Sequence, residues 1–346
     1  MRKLTSEELK SITVGTEYLS EENGCVSFHR FTKEQEELYR EKKNNLYSKV
    51  FSGSGIKLRF ETDSESLFMR IIVNKASSRS YFSLSVYSDG EYIGKISNFD
   101  KTKLNNENLK SEYLLGEFSE NFELKKGKKT ITIYMPWSVS VSIKEFLIDY
   151  GASLIPKKYD KRILIFGDSI TQGYDATEPE NTYASRICEL LNAEGINKAI
   201  GGECFFPELA EMNEDFVPEY ITVAYGTNDW YKTNRACFEK NSKEFFISLR
   251  KKYPTAIIYA ISPIWRKESE EKLNGWNFRD VACHIKEIAC EVENIIFIDG
   301  FDFVPHESKY FADLRLHPND DGFLYFWENL YAKAWSKMKH NGDHIS

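Results

Sequence analysis

Four short polar segments in the second half of the chain combine the residue types that acyl-transfer chemistry needs. A serine hydroxyl can attack an ester carbonyl while a histidine takes its proton. Glycine N–H groups and an asparagine amide can stabilise the oxygen that becomes negative. Each segment alone also fits an ordinary turn, so the evidence lies in their order along the chain. The segments are Gly167-Asp168-Ser169, Gly201-Gly202, Gly226-Thr227-Asn228-Asp229 and Asp313-Leu314-Arg315-Leu316-His317-Pro318.

The first three polar segments each follow an apolar, strand-like run, and helical patterns lie between the runs. The strand-like runs are 163–166, 196–200, 221–225, 256–261 and 295–298, and the helical patterns are 183–193, 237–252, 280–291 and 323–338. Such alternation predicts an α/β domain over 161–346, a three-layer, doubly wound structure with a parallel sheet. The carboxyl ends of parallel strands share one edge, so Ser169 and Asn228 should lie close together there.

Residues 1–150 follow a different pattern, in which apolar and polar residues alternate in short runs such as 131–135. This period of two is typical of half-buried antiparallel strands, and several such runs predict a β-sandwich. Ser88-Asp89-Gly90-Glu91 favours a hairpin turn. Residues 32–46 favour a short helix, and the Gly-, Pro- and Lys-containing segment 151–160 is interpreted as a linker.

The order Ser, Gly, Asn, His over four successive loops resembles the SGNH (GDSL-type) hydrolase family. The resemblance covers about residues 160–340 and implies a flavodoxin-like catalytic domain that needs no cofactor. It implies that Ser169 is the nucleophile and His317 the general base. It also implies that the Ser169 and Gly202 N–H groups and the Asn228 side chain form the oxyanion hole. In architecture, though not in motif, the β-rich first half resembles the jelly-roll domain of two-domain carbohydrate esterases in this family.

The third member of a catalytic triad is where the chain departs from that family. The family places an Asp three residues before the His, where this chain has Leu314, and Asp313 lies four residues before. A tighter turn would absorb the extra residue and let Asp313 hold the imidazole. The alternatives are a Ser–His dyad oriented by a backbone carbonyl, or Asp302 as a substitute from a nearby loop.

Aromatic residues near the predicted loops favour a sugar substrate. Trp230 follows Asn228-Asp229, and Trp265 follows the strand-like run 256–261. We predict that both rings, with Asp168, contact the substrate, although core packing explains the two tryptophans equally well. An O-acetylated sugar or oligosaccharide is the first predicted substrate, and a short-chain acyl or aryl ester is the second.

Three other functions are compatible with parts of the sequence. A lysophospholipase or thioesterase on the same scaffold would prefer longer acyl chains. A non-catalytic carbohydrate-binding protein would use the β-rich half and would not need Ser169, Asn228 and His317. A nucleotide-binding domain is disfavoured, because neither GxGxxG nor GxxxxGK[ST] follows the first strand-like run of the second half.

Composition limits the partners of this 346-residue chain. Its net charge is −7 without a basic stripe, which argues against nucleic acid. No leader-like segment or run of roughly 18 apolar residues is present, so neither export nor a membrane span is predicted. Six scattered cysteines are interpreted as buried thiols in a reducing compartment, and a cytoplasmic protein is expected. The oligomeric state stays open. No metal is expected, because these histidines lack ligand-spaced partners: His29, His284, His306, His340 and His344.

Overall fold

The computed structural model describes residues 1–339, so His340 and His344 lie outside the described residues. Contacts divide the chain into two compact units. The first contains Met1–Arg162, Thr177–Glu180 and Ile187–Lys198. The second contains Ile163–Ala176, Asn181–Arg186 and the chain from Ala199 on.

The first unit is built from two antiparallel sheets. Its strands are β1 (Arg2–Lys3), β2 (Thr13–Val14), β3 (Tyr18–Glu22), β4 (Cys25–His29), β5 (Lys57–Thr62), β6 (Ser66–Lys75), β7 (Ser83–Ser88), β8 (Glu91–Ser97), β9 (Gly116–Glu123), β10 (Lys129–Tyr134), β11 (Val139–Ile148) and β12 (Ile155–Pro156). One sheet has the order β3-β4-β11-β6-β9, with β1 on β11. The other has the order β12-β5-β10-β7-β8, with β2 on β5. Segment 151–160, interpreted as a linker, therefore contributes a short edge strand.

Alternating side chains from the two sheets form one hydrophobic core. Leu67, Met69 and Ile71 of β6 point into it from one sheet, and Ile131 and Ile133 of β10 point into it from the other. Antiparallel strands therefore dominate the first unit, and its assignment to the jelly-roll class stays a prediction.

The short helix and the hairpin turn predicted for the first unit are both present. Its helices are α1 (Ser6–Ile12), α2 (Lys33–Lys42) and α3 (Asn44–Tyr47). The helix α2 begins at a capping box of Thr32 and Gln35. At the β7–β8 hairpin both Asp89 and Gly90 have positive φ, 48° and 81°, as a two-residue primed turn requires.

A five-stranded sheet follows in the second half of the chain. Its strands are β13 (Lys161–Gly167), β14 (Ala193–Asn197), β15 (Tyr220–Ala224), β16 (Ile257–Ile261) and β19 (Ile295–Ile298), and β17 (Lys272–Leu273) with β18 (Trp276–Asn277) forms a separate small hairpin. The order is β14-β13-β15-β16-β19, and β13, β15, β16 and β19 pair in parallel. The strand order reverses beside β13 and β15, which is where open α/β sheets form their binding crevice.

Helices alternate with these strands, giving a mixed α/β fold. They are α4 (Ser169–Gln172), α5 (Tyr183–Leu190), α6 (Pro207–Glu211), α7 (Thr227–Lys232), α8 (Arg235–Lys252), α9 (Phe278–Glu291) and α10 (Asp320–Lys339). The predicted stripe of α8 is buried, including Phe238, Phe245, Phe246 and Leu249. The second strand was predicted at 196–200 but lies at Ala193–Asn197. Beyond its end, the backbone N–H of Ile200 bonds to the Gly167 carbonyl oxygen at 3.0 Å.

No described helix is both long and apolar enough to cross a membrane. Of the six cysteines, Cys188 is buried and Cys25 and Cys204 are half-buried. The interpretation of buried thiols was wrong for Cys237, Cys283 and Cys290, which are exposed.

Candidate active site

The turn after β13 carries Ser169 at the first position of α4. The Asp168 carboxylate accepts a hydrogen bond from the Ile170 N–H at 3.0 Å and caps the helix. Gly167 is required by close approach, since a Cβ there would lie 2.2 Å from Thr171 Oγ1. Ser169 is held at this turn with 5% of its surface exposed.

His317 lies against Ser169 although 148 residues separate them. The distance from His317 Nε2 to Ser169 Oγ is 2.9 Å, and that from His317 Nδ1 to Asp313 Oδ2 is 2.8 Å. An ionised carboxylate can only accept, so Nδ1 carries the hydrogen and Nε2 is left to accept from the serine hydroxyl. Three of the predicted residues are thus joined by two hydrogen bonds.

A tight turn absorbs the additional residue between Asp313 and His317. Leu314 takes a left-handed conformation, with φ at 58°, and its side chain points outward. Asp313 Oδ1 accepts from the backbone N–H groups of Arg315, Leu316 and His317 at 3.0, 2.7 and 3.1 Å. These three bonds close the loop around the carboxylate and offset the roughly 1–2 kcal/mol that a left-handed leucine costs.

The electrostatics of Asp313 favour its ionised form. Burial alone would raise the pKa of this carboxyl. The hydrogen bond and charge of His317, with the N–H bonds from Leu316 and His317, outweigh burial and bring the pKa well below its usual range. Asp313 is therefore a carboxylate at neutral pH, as an orienting acceptor must be.

The other two predicted oxyanion-hole residues, Gly202 and Asn228, follow the strands β14 and β15. The sequence favoured Gly202 over Gly201 because it follows Asn197 by five residues. The Gly201 N–H donates to Gln172 Oε1 at 2.7 Å, so it is directed to the end of α4. Gly202 has a φ of 90°, and its carbonyl oxygen accepts from Lys232 Nζ at 2.6 Å.

Asn228 lies in the first turn of α7 and is 9% exposed. Its Nδ2 donates one hydrogen bond, to the Glu203 carbonyl oxygen at 3.0 Å. An amide nitrogen carries two hydrogens, which leaves a second donor. The bond to Glu203 ties this side chain to the residue after Gly202.

A second carboxylate, which sequence reasoning missed, also lies beside His317. Asp175 Oδ2 is 3.4 Å from His317 Nδ1, and the Asp175 side chain is fully buried. The preceding Tyr174 stacks on the imidazole, with ring centres 5.3 Å apart. The only signal in the sequence was a carboxylate six residues after the serine, directly behind Gly173-Tyr174.

Asp175, Asp313 and His317 also form a group whose donor atoms lie within 4.8 Å of one another, close enough for a metal. Their proximity is accounted for by His317 Nδ1–H, which donates to Asp313 Oδ2 and lies at ion-pair distance from Asp175 Oδ2, and we assign no metal to them. Asp302, the proposed substitute for Asp313, instead lies 3.2 Å from His306 Nε2.

The structure buries Trp230 and Asp168, two of the residues predicted to contact a substrate. Trp230 is fully buried; its Nε1–H donates to the Trp276 carbonyl oxygen at 3.3 Å, and its ring packs edge-on against Phe278. Asp168 is 3% exposed and is used as the cap of α4.

Trp265 is half-buried and belongs to an aromatic group beneath the His317 turn. Its ring stacks on His306 with centres 5.4 Å apart and contacts Phe311 at 5.2 Å. The exposed ring in this region is Tyr231, with the guanidinium groups of Arg266 and Arg315 at 5.2 and 5.6 Å from its centre.

The profile of the GDSL-like lipase/acylhydrolase family matches residues 165–323, which include Ser169, Gly202, Asn228 and His317. This segment is a GDSL-like lipase/acylhydrolase domain. The predicted relation to the SGNH (GDSL-type) hydrolases is thereby confirmed, and the chain is a carboxylic ester hydrolase. No curated protein matches the sequence.

Several solved structures share the fold of this chain. A salicylyl-acyltransferase from a tetracycline biosynthetic pathway has a TM-score of 0.79 at 18% identity, with 95% of each chain covered. A family two carbohydrate esterase from Cellvibrio japonicus has a TM-score of 0.64 at 15% identity, with 96% of each chain covered. One from Clostridium thermocellum has a TM-score of 0.63 at 16% identity, covering 83% of this chain and 94% of its own. At these identities the likeness concerns the fold.

Proposed function

We propose that this GDSL-like protein is a serine esterase that removes short acyl groups, acetyl above all, from sugars or oligosaccharides. The observation that carries the proposal is the chain of two hydrogen bonds, 2.9 Å from Ser169 Oγ to His317 Nε2 and 2.8 Å from His317 Nδ1 to Asp313 Oδ2. A hydroxyl is a weak nucleophile until a neighbouring base accepts its proton, and this pair satisfies that requirement.

In the proposed first step Ser169 Oγ bonds to the ester carbonyl carbon as its proton passes to His317 Nε2. The carbonyl oxygen becomes negative and accepts hydrogen bonds from the Ser169 and Gly202 N–H groups and from Asn228 Nδ2. The intermediate then expels the alcohol, which takes the proton from Nε2, and the acyl group remains on Ser169. Loss of one such donor costs about 3–4 kcal/mol of transition-state stabilisation in related chemistry.

In the second step water attacks the acyl-enzyme while His317 again accepts a proton. Collapse of the second intermediate breaks the bond to Ser169 Oγ, which regains its proton from Nε2, and releases the carboxylic acid. Asp313 keeps the imidazole in the required tautomer and stabilises its charged form in both steps.

The substrate class is inferred from the fold neighbours and from one exposed aromatic ring. Fold neighbours that are named carbohydrate esterases, including an acetyl xylan esterase from Butyrivibrio proteoclasticus, favour a sugar ester. The half-exposed ring of Tyr231, three residues after Asn228, lies with the Arg266 and Arg315 guanidinium groups and gives the site an aromatic and polar surface of the kind that binds sugars. The salicylyl-acyltransferase neighbour favours a second candidate, transfer of the acyl group to another hydroxyl in place of water.

Acetate release from acetylated saccharides, compared with hydrolysis of p-nitrophenyl esters of increasing chain length, tests the proposal. Activity should fall beyond acetyl, sugar esters should be preferred, and Ser169→Ala should abolish turnover, while Ser248→Ala on α8 serves as the matched control. Equal or rising activity on long chains would favour a lysophospholipase or thioesterase. Acyl transfer to added alcohols faster than hydrolysis would favour the acyltransferase. Turnover that survives Ser169→Ala would refute the proposal.

A further inference from the structure

The Nδ1 edge of His317 faces two carboxylates. Asp313 Oδ2 accepts directly at 2.8 Å, and Asp175 Oδ2 lies at 3.4 Å, within ion-pair range. A triad needs one acceptor at this nitrogen. The second carboxylate, that of Asp175, is therefore not required by the triad of Ser169, His317 and Asp313.

Asp175 belongs to the same turn as the nucleophile. The helix α4 ends at Gly173, which has a φ of 110°, and the N–H of Tyr174 donates to the Ser169 carbonyl oxygen at 2.9 Å. The N–H of Ala176 bonds to the Gly173 carbonyl oxygen at 3.1 Å. These bonds fix Asp175 relative to Ser169, whereas Asp313 belongs to the His317 turn.

Asp175 is held deep inside this turn. Its φ is 70°, in the left-handed region that Asp adopts more readily than most residues, and its side chain is fully buried. A buried carboxylate needs compensation from hydrogen bonds or an opposite charge. The imidazolium that forms while His317 holds the serine proton supplies such a charge at a short distance.

We propose that Asp175 is a second positioning residue for His317, which supports the imidazolium and can replace Asp313 as the acceptor from Nδ1–H. The inference rests on the proposed function. A shift of roughly 0.5 Å would bring the Asp175 oxygen from ion-pair to hydrogen-bond distance. Asp175 therefore reduces the loss of kcat when Asp313 is replaced. An Asp313 variant alone then underestimates how much a carboxylate at Nδ1 contributes to kcat.

A double-mutant cycle with Asp175→Asn and Asp313→Ala tests this. Asn is a suitable replacement at position 175, because it tolerates positive φ as Asp does, removes the negative charge and replaces one of the two acceptor oxygens by an NH2 donor. Loss of an orienting carboxylate can lower kcat by about 10⁴-fold. We expect Asp313→Ala to lose only about 10²-fold, Asp175→Asn less than about 10-fold, and the double variant about 10⁴-fold, with KM unchanged. Asp302→Asn, which removes the carboxylate beside His306, is the control and should keep full activity.

The outcomes separate the two proposals. A double variant whose loss is no greater than the product of the single losses would overturn the role of Asp175. A change in KM or thermal stability with kcat unaffected would also overturn it. If Ser169→Ala remains active, the proposed function itself fails first.

A second measurement does not depend on the folding of any Asp175 variant. In Asp313→Ala the far-downfield proton signal of a carboxylate-bonded His317 Nδ1–H should persist in the NMR spectrum, because Asp175 accepts the bond. Disappearance of the signal in a folded Asp313→Ala protein would contradict the inference.

Discussion

The Ser169 turn holds the buried Asp168 and the His317 turn holds the half-buried Asp313, and the two carboxyls have opposite electrostatics. Burial raises the pKa of Asp168 to about 6, because one N–H bond from Ile170 and the charges of His317 and Lys232 compensate it only in part. At Asp313 burial is outweighed by His317 and by backbone N–H groups, and the pKa lies well below its usual range. The donors around each carboxyl, together with its depth, decide which one is reliably ionised.

This difference also assigns different tasks to the two turns. The Ser169 turn holds its aspartate as a helix cap and presents a hydroxyl, whereas the His317 turn surrounds its aspartate with donors and presents a base. A carboxyl that titrates near pH 6 would be a poor permanent acceptor for Nδ1–H. Asp313 is suited to that task, and Asp168 is not.

The largest expected effect comes from removing the base that joins the two turns. His317→Ala should lower kcat by at least about 10⁴-fold, because the Ser169 hydroxyl then has no acceptor for its proton. Steady-state kinetics with a p-nitrophenyl ester measure this. His306→Ala, on a nearby loop, is the matched control, and a comparable loss there would show that the effect is not specific to the site.

Replacing Asp168 or Asp313 by asparagine should change the free energy of unfolding in opposite directions. The folded pKa of Asp168 lies above the unfolded value of 3.8, so the folded state loses stability as the pH rises through about 4 to 6. Asp168→Asn should therefore leave the free energy of unfolding unchanged at pH 3 and raise it by about 2–3 kcal/mol at pH 8. Denaturant unfolding at the two pH values is the measurement.

Asp313→Asn should change stability in the other direction. Its folded pKa lies below the unfolded value, so the carboxylate stabilises the fold above about pH 4, and this contribution is lost as the pH falls. The variant should be less stable than wild type at pH 8, with the difference shrinking toward acid. Changes of the same sign in both variants would refute the comparison between the turns.

A smaller effect is expected at the residue that closes the His317 turn. Leu314→Asn should stabilise the protein by up to about 1 kcal/mol, because Asn tolerates the φ of 58° that Leu adopts under strain. Leu314→Val should destabilise it, since β-branched residues tolerate that region least. Thermal unfolding of the two variants measures the backbone strain at position 314, and kcat should change little in the Asn variant. Equal stability of both variants would mean that the conformation carries no strain.

The elements were more predictable from the sequence than the directions of individual side chains. The order of strand, polar segment and helix placed Ser169, Asn228 and His317 because each follows from a local pattern. Trp230 was misjudged because its direction depends on where α7 begins, and Gly226-Thr227-Asn228-Asp229 fits several starting positions. Asp175 was missed because its place beside His317 depends on a left-handed Gly173 and on a loop 140 residues away.

The family spacing could suggest Asp313 but could not decide its geometry. Only the left-handed Leu314 lets a carboxylate four residues before the histidine accept from Nδ1, and leucine is not a residue from which that conformation would be expected. The sequence therefore showed the extra residue between Asp313 and His317, but not the backbone conformation that accommodates it.

Labelling with an ester-like p-nitrophenyl phosphonate, followed by peptide mass spectrometry, tests the central claim most directly. The serine oxygen would displace p-nitrophenolate from phosphorus, so one phosphonyl group should be found on the peptide containing Ser169. The label should be absent in Ser169→Ala and form far more slowly in His317→Ala. A wild-type protein that hydrolyses esters yet carries the label on a different residue, or carries none, would contradict the account.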